Sequence, residues 1–185
     1  MNRIKALFIL ATIGDIVGYK GGNWEFNKNG ESIMNEFNKK YKFVEKLDLN
    51  NTGEWIYSDD TVLHMATLKS IIDGIKETKN NQINYNSESI INNISKYLRF
   101  EYIHSQKFMQ SRAPGKQYLF SIKYLKLHSE KFNIYYSESA GGNGASIRSM
   151  ILASITKKYL DNKLENLIKL TYYSAIITHN NGIGI

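Results

Sequence analysis

The chain has 185 residues, 42% of them hydrophobic and 12% aromatic, which is enough for the core of one modest domain and argues against general disorder. It has no cysteine, which excludes a disulfide framework, a thiolate nucleophile and a thiolate metal site. A net charge of +7 admits a nucleic-acid partner, yet the lysines form no long block, and the densest groups, Lys39-Lys40-Tyr41-Lys42 and Lys123-Tyr124-Leu125-Lys126, read as solvated faces.

Met1-Asn2-Arg3-Ile4-Lys5 and the apolar run after it imitate the start of a secretory signal, but no small-residue cleavage site follows cleanly. The pattern predicts a buried first helix instead, apolar nearly all round through Ile4, Leu7, Phe8, Ile9, Leu10 and Ile13 and ending within 14–19. No apolar run is long enough to span a membrane, so the expected location is cytoplasmic. The dense glycines from Gly14 to Gly22 mark tight turns or a close approach of backbone. Glu25, between Trp24 and Phe26, reads either as a solvated loop carboxylate or as a partly buried one with a raised pKa.

A polar turn at 27–30 precedes a short helix near 31–41. The segment Ser58-Asp59-Asp60-Thr61 then opens an apolar helical pattern that Gly74 is expected to stop. Asp59 and Asp60 fall at its first turn, where capping is the ordinary role, while the same oxygens suit magnesium or calcium. His64, one turn on, is expected as a satisfied core histidine ahead of a hydrogen bond to Asp60. Asn86-Ser87 caps a predicted long helix over 88–108, with Ile90, Ile91, Ile94, Tyr97, Leu98 and Tyr102 inward.

The single proline, Pro114, breaks the pattern before a helix over 118–128. The loop 137–144 runs into an apolar helix from Ala145, bringing backbone amides to a helix N-terminus; this is either an anion cradle or an ordinary turn. It is neither a Walker motif nor a dinucleotide fingerprint, because no strand precedes it. Asn162 and Glu165 have the pattern of a capping box, with Leu164, Leu167, Ile168, Tyr172, Ala175 and Ile176 predicted inward on a last helix that ends at 178–182. With no convincing strand and no repeat, the expected class is all-α.

Four stretches together resemble the ADP-ribosylglycohydrolases: Gly14-Asp15 to Gly18 with Asn23-Trp24-Glu25-Phe26; Ser58-Asp59-Asp60-Thr61; Gly141-Gly142-Asn143-Gly144-Ala145 with Arg148; and Thr178-His179. Arg112-Ala113-Pro114-Gly115 looks most like the ADP-ribosylarginine hydrolase branch. The resemblance implies a multi-helix orthogonal bundle around a central metal cleft, with two magnesium ions, that cleaves the glycosidic bond between ADP-ribose and a modified residue. It implies Ser58, Asp59 and Asp60 as metal ligands, with Glu25, Asp59 and Asp60 catalytic. It also implies that Gly141, Gly142, Asn143 and Gly144 hold the diphosphate and that His179 contacts the nucleotide. The family's second acidic cluster, Asp-x-Asp-Ser/Thr, has no counterpart among Asp15, Asp48, Asp59, Asp60, Asp73 and Asp161. The expectation is therefore a truncated, N-terminal portion of one domain with an incomplete second metal site, and a second chain as a partner that supplies the rest. The alternatives are an ADP-ribose-binding module without catalysis and, from another class, a basic nucleic-acid binder.

Overall fold

The computed structural model describes residues 3–40, 55–80 and 85–183. It is all-α, as expected: α1 Arg3–Tyr19, α2 Gly30–Lys40, α3 Asp59–Asn80, α4 Ser87–Ser105, α5 Lys116–Leu127, α6 Gly144–Ala153, α7 Thr156–Tyr159 and α8 Leu164–Ile176, with no strand among the described residues. The chain forms two compact units, one of residues Met1–Thr61 with Ser111–Ala113 and the other of Val62–Gln110 with Pro114–Ile185.

In the first unit α1 departs from expectation. It ends at Tyr19, within the expected bounds, but Tyr19 is its one buried residue, with Leu10 65% exposed. A helix that is apolar on every side carries no signal of which side is covered, so its composition alone overstated its burial. The unit's interior lies just after it, where Trp24 meets Trp55 edge-on at 5.9 Å between ring centroids. Lys20 is buried there with its ammonium on Glu36 and 4.5 Å from the Trp24 ring centre, and the Trp24 indole donates to the other Glu36 oxygen at 2.9 Å. A buried ammonium persists because it has both a carboxylate and an aromatic face. The backbone turns into this arrangement through left-handed residues, among them Gly22 at φ 86°, a conformation glycine adopts without strain. Asn29 then caps α2, its side-chain oxygen accepting from the Ser32 amide at 3.0 Å.

The second unit is built on α4, which packs against α5 and α8, while α6 and α7 also pack on α8. Asn86 caps α4 as expected, accepting from the Ser89 amide at 2.8 Å. Ile90, Ile91, Ile94, Leu98 and Tyr102 are buried, whereas Tyr97 is only half-buried. The helix ends at Ser105, and 106–108 form one 3-10 turn. Gly74 does not stop α3, which continues to Asn80. A Cβ at Gly74 would stand 2.7 Å from the Ile94 Cα and amide nitrogen, so this glycine is where α4 packs tightly on α3. The Asn-rich stretch 79–82 begins inside that helix, and its residues 81 and 82 lie outside the described residues.

The capping box before α8 does not form. Asp161 and Asn162 are left-handed at φ 54° and 55°, and Lys163 takes the cap position without a side-chain bond. The buried face of α8 is also rotated from the predicted one, for Leu170, Ser174, Ala175 and Ile176 are buried while Leu164, Ile168 and Tyr172 are 66%, 57% and 45% exposed. Ser174 faces inward because its hydroxyl meets the Tyr102 hydroxyl at 2.9 Å, a pairing with no trace in hydropathy. No described helix is long and apolar enough to cross a membrane.

Candidate functional site

Within the first unit the turn before α3 is held by an aspartate on α1. Asp15 Oδ2 accepts from the Ser58 amide at 2.9 Å and from the Thr61 hydroxyl at 2.5 Å, and Oδ1 accepts from the Ser58 hydroxyl at 2.6 Å. The Ser58 hydroxyl in turn accepts from the Asp60 amide at 3.1 Å, which makes Ser58 the helix cap. Asp59 and Asp60 are thus the first two residues of α3, and the cap they were expected to supply comes from their neighbour. The segment 111–113 closes the turn from another side. The Arg112 carbonyl accepts from the Asp59 amide at 3.0 Å. The Arg112 guanidinium donates to the Tyr57 carbonyl at 2.6 Å and lies 3.7 Å from that residue's ring centre. Ser111 and Ala113 are both left-handed, at φ 60° and 53°, and the Tyr19 hydroxyl donates to the Ser111 carbonyl at 3.0 Å.

The charges gathered here act on one another. Glu25 is exposed rather than partly buried, yet its carboxyl is pushed above its ordinary range, first by loss of water around it and then by Asp60 and Asp15. The Tyr19 phenol is raised by burial and by Glu25 and Asp59, with Arg112 opposing. Two adjacent carboxylates at a helix N-terminus form a hard-oxygen donor set of the kind magnesium takes, with water filling the rest of its shell. Crowded negative charge that lifts Glu25 is the condition that a cation relieves. Ser58 is engaged as cap and brace. Among the described residues no three His, Asp or Glu side chains converge into a ready metal cage.

Within the second unit the glycine loop meets the segment after α8. Asn143 occupies the cap position of α6 without a side-chain bond, and Gly144 is its first residue. The Asn181 amide donates to the Ser137 and Glu138 carbonyls at 2.8 and 3.2 Å, tying the loop to the chain beyond His179. A Cβ at Gly144 would lie 2.9 Å from His179 Cε1 and 3.0 Å from Nε2, and one at Gly142 would lie 3.8 Å from Nε2. Gly141 instead neighbours Asn181 and Ile183. Buried beneath them, Arg148 donates to the Thr178 hydroxyl at 2.7 Å and to the Ser174 carbonyl at 3.2 Å. Burial, and then the Arg148 charge, push the His179 pKa down to about 4, so the ring is neutral at physiological pH. His64 turns its Nε2 to the Ile147 carbonyl at 2.6 Å, the satisfied core arrangement.

The structure thus groups Ser58, Asp59 and Asp60 in one unit and Gly142, Gly144 and His179 in the other. Three residues do work that no role was assigned to in the sequence. Asp15 and Arg148 lie within the stretches that resemble the family, but a carboxylate reaching 43 residues along the chain, and a fully buried guanidinium, leave no periodic or local signature. Thr178 likewise sat beside His179 with nothing to mark its hydroxyl as a bridge.

The chain is 35% identical over 189 residues to ADP-ribosylhydrolase ARH1 of Dictyostelium discoideum, covering 99% of this chain and 44% of that protein. It is 27% identical over 177 residues to L444 of Acanthamoeba polyphaga mimivirus, assigned by name to the ADP-ribosyl glycohydrolases, covering 94% of this chain and 32% of that protein. The chain therefore spans less than half the length of these relatives. The ADP-ribosylglycohydrolase family model matches residues 1–185, and the chain belongs to that family.

Proposed function

We propose that this chain binds ADP-ribosylated protein and serves hydrolysis of the bond between ADP-ribose and arginine, with magnesium held on Asp59 and Asp60. One observation carries the reading: Asp15 and Ser58 brace the turn so that two carboxylates open α3, in the same unit as Glu25, whose proton affinity is raised first by loss of water and then by Asp60 and Asp15. The name of the Dictyostelium relative, an ADP-ribosylhydrolase, supports the substrate class. In the reaction, water adds its oxygen to the anomeric carbon as the carbon–nitrogen bond breaks, and the departing guanidine nitrogen takes up a proton. Glu25 is suited to accept the water's proton, since a carboxylate with a raised pKa is a better base. Bound magnesium would supply positive charge that orients ribose hydroxyls and water. Gly144 lets the His179 ring pack against the loop, and the missing side chain of Gly142 leaves its backbone open to approach by a diphosphate.

A second reading, an ADP-ribose-binding module, is favoured by the lack of a three-ligand cage among the described residues. A single set of measurements separates them. Calorimetry with magnesium should show binding that Asp60→Asn weakens at least tenfold without lowering the melting temperature by more than the cost of a helix-terminal charge, about 1 kcal/mol. Release of ADP-ribose from modified arginine is then assayed with magnesium for the chain alone and with the C-terminal half of a full-length relative. ADP-ribose binding with no turnover in either assay would support the module, and magnesium affinity unchanged in both Asp59→Asn and Asp60→Asn would refute the metal assignment.

A further inference from the structure

Arg148 is the largest fully buried side chain of the described residues, and it has no carboxylate partner among them. Its Nε and Nη1 make no hydrogen bond, and its guanidinium carbon lies 4.4 Å from the centre of the Tyr102 ring. Burying an uncompensated cation with two unsatisfied nitrogens is a standing cost that stability alone does not explain. Among the described residues its hydrogen bonds go to the Ser174 carbonyl and to the Thr178 hydroxyl, which in turn meets His179 Nδ1 at 2.8 Å.

The direction of this chain of bonds follows from its first member. A guanidinium can only donate, so the Thr178 oxygen accepts from Arg148. The hydroxyl then has one proton of its own to place. Thr178 is fully buried, and among the described residues the remaining partner of its hydroxyl is His179 Nδ1. Donation to Nδ1 satisfies that proton, whereas the opposite tautomer would leave it buried without an acceptor. Nδ1 is therefore the acceptor and the ring proton is on Nε2, the atom 3.0 Å from the place of a Gly144 Cβ.

We propose that Arg148 is a positioning residue which, through the Thr178 hydroxyl, holds His179 as a neutral Nε2–H donor directed at the 142–144 loop. The ligand atom it would meet there is an acceptor oxygen of ADP-ribose, and that part rests on the functional reading above. Arg148 itself touches no ligand. Burial and the nearby positive charge oppose protonation of the ring, which keeps Nδ1 available as acceptor.

The test is the protonation of the ring itself, read on the full chain with 15N-labelled histidine by long-range 1H–15N correlation at pH 7. There are four histidines, and His179→Gln assigns the signal. In the wild-type chain Nε2 should be protonated and Nδ1 bare. Thr178→Val and Arg148→Met should each raise the Nδ1–H population and weaken ADP-ribose binding about tenfold, the effect of one misdirected hydrogen bond, while Thr178→Ser should restore both. Wild-type Nδ1–H, an imidazolium at pH 7, a tautomer unchanged in both variants, or a changed tautomer with unchanged affinity would each overturn the proposal. Should Arg148→Met fail to fold, the wild-type and Thr178 spectra decide alone. Failure of the wild-type chain to bind ADP-ribose would fail the functional reading, and the ring spectrum would still judge the relay.

Discussion

Asp15→Ala removes the three bonds that α1 makes to the turn before α3, from the Ser58 amide, the Ser58 hydroxyl and the Thr61 hydroxyl. Ser58 and Thr61 are each only 4% exposed, so water cannot replace the lost carboxylate freely. A buried donor left unmade costs about 1–3 kcal/mol, and the two hydroxyls can rotate to recover part of that, so the net loss is about 3 kcal/mol. For a chain of this size each kcal/mol moves the melting temperature by about 2–4 °C, giving a fall of about 6–12 °C. Asp15→Asn retains one acceptor oxygen and should lose about half as much. The assay is calorimetric melting of wild type, Asp15→Ala, Asp15→Asn, Ser58→Ala and the double variant Asp15→Ala/Ser58→Ala. Because the two side chains share a bond, the double variant should be less destabilised than the sum of the singles, by about 1–2 kcal/mol. Additive losses, or an Asp15→Ala variant that melts like wild type, would refute the clamp.

Gly74→Ala places a methyl 2.7 Å from the Ile94 backbone, so α4 must retreat; the overpacking of about 1–3 kcal/mol exceeds the helix-propensity gain of about 1 kcal/mol, and thermal melts should show a net loss. Gly144→Ala should push the His179 ring aside from 2.9 Å and weaken ADP-ribose binding severalfold in calorimetry, whereas Gly182→Ala, with open space around its Cβ, should not. Glu25 has a folded pKa above its ordinary 4.5, so its contribution to stability is full below that pH and is lost as pH rises through the folded value. Glu25→Gln should therefore melt higher than wild type at pH 7, and the difference should vanish near pH 4; a difference that grows toward acid would show the sign to be wrong.

The amino-acid sequence alone determined what depends on neighbours a few residues apart. Asn29 and Asn86 stand where helices begin because a short side chain can reach an amide three residues on, and that need is local. The Ser58-Asp59-Asp60 run at a helix start and the glycines ahead of Ala145 were legible for the same reason. Tertiary structure decided what depends on residues far apart in sequence. Gly74 reads as a stop until Ile94 is seen to need its missing side chain, and Asp15 has no marked role until Ser58 and Thr61 come to it. The inward face of α8 includes Ser174, paired with the Tyr102 hydroxyl, which the apolar count did not mark, and the apolar length of α1 did not bury it. Hydropathy records what each side chain prefers, whereas burial and polar pairing depend on which surfaces and partners the folded chain brings to it.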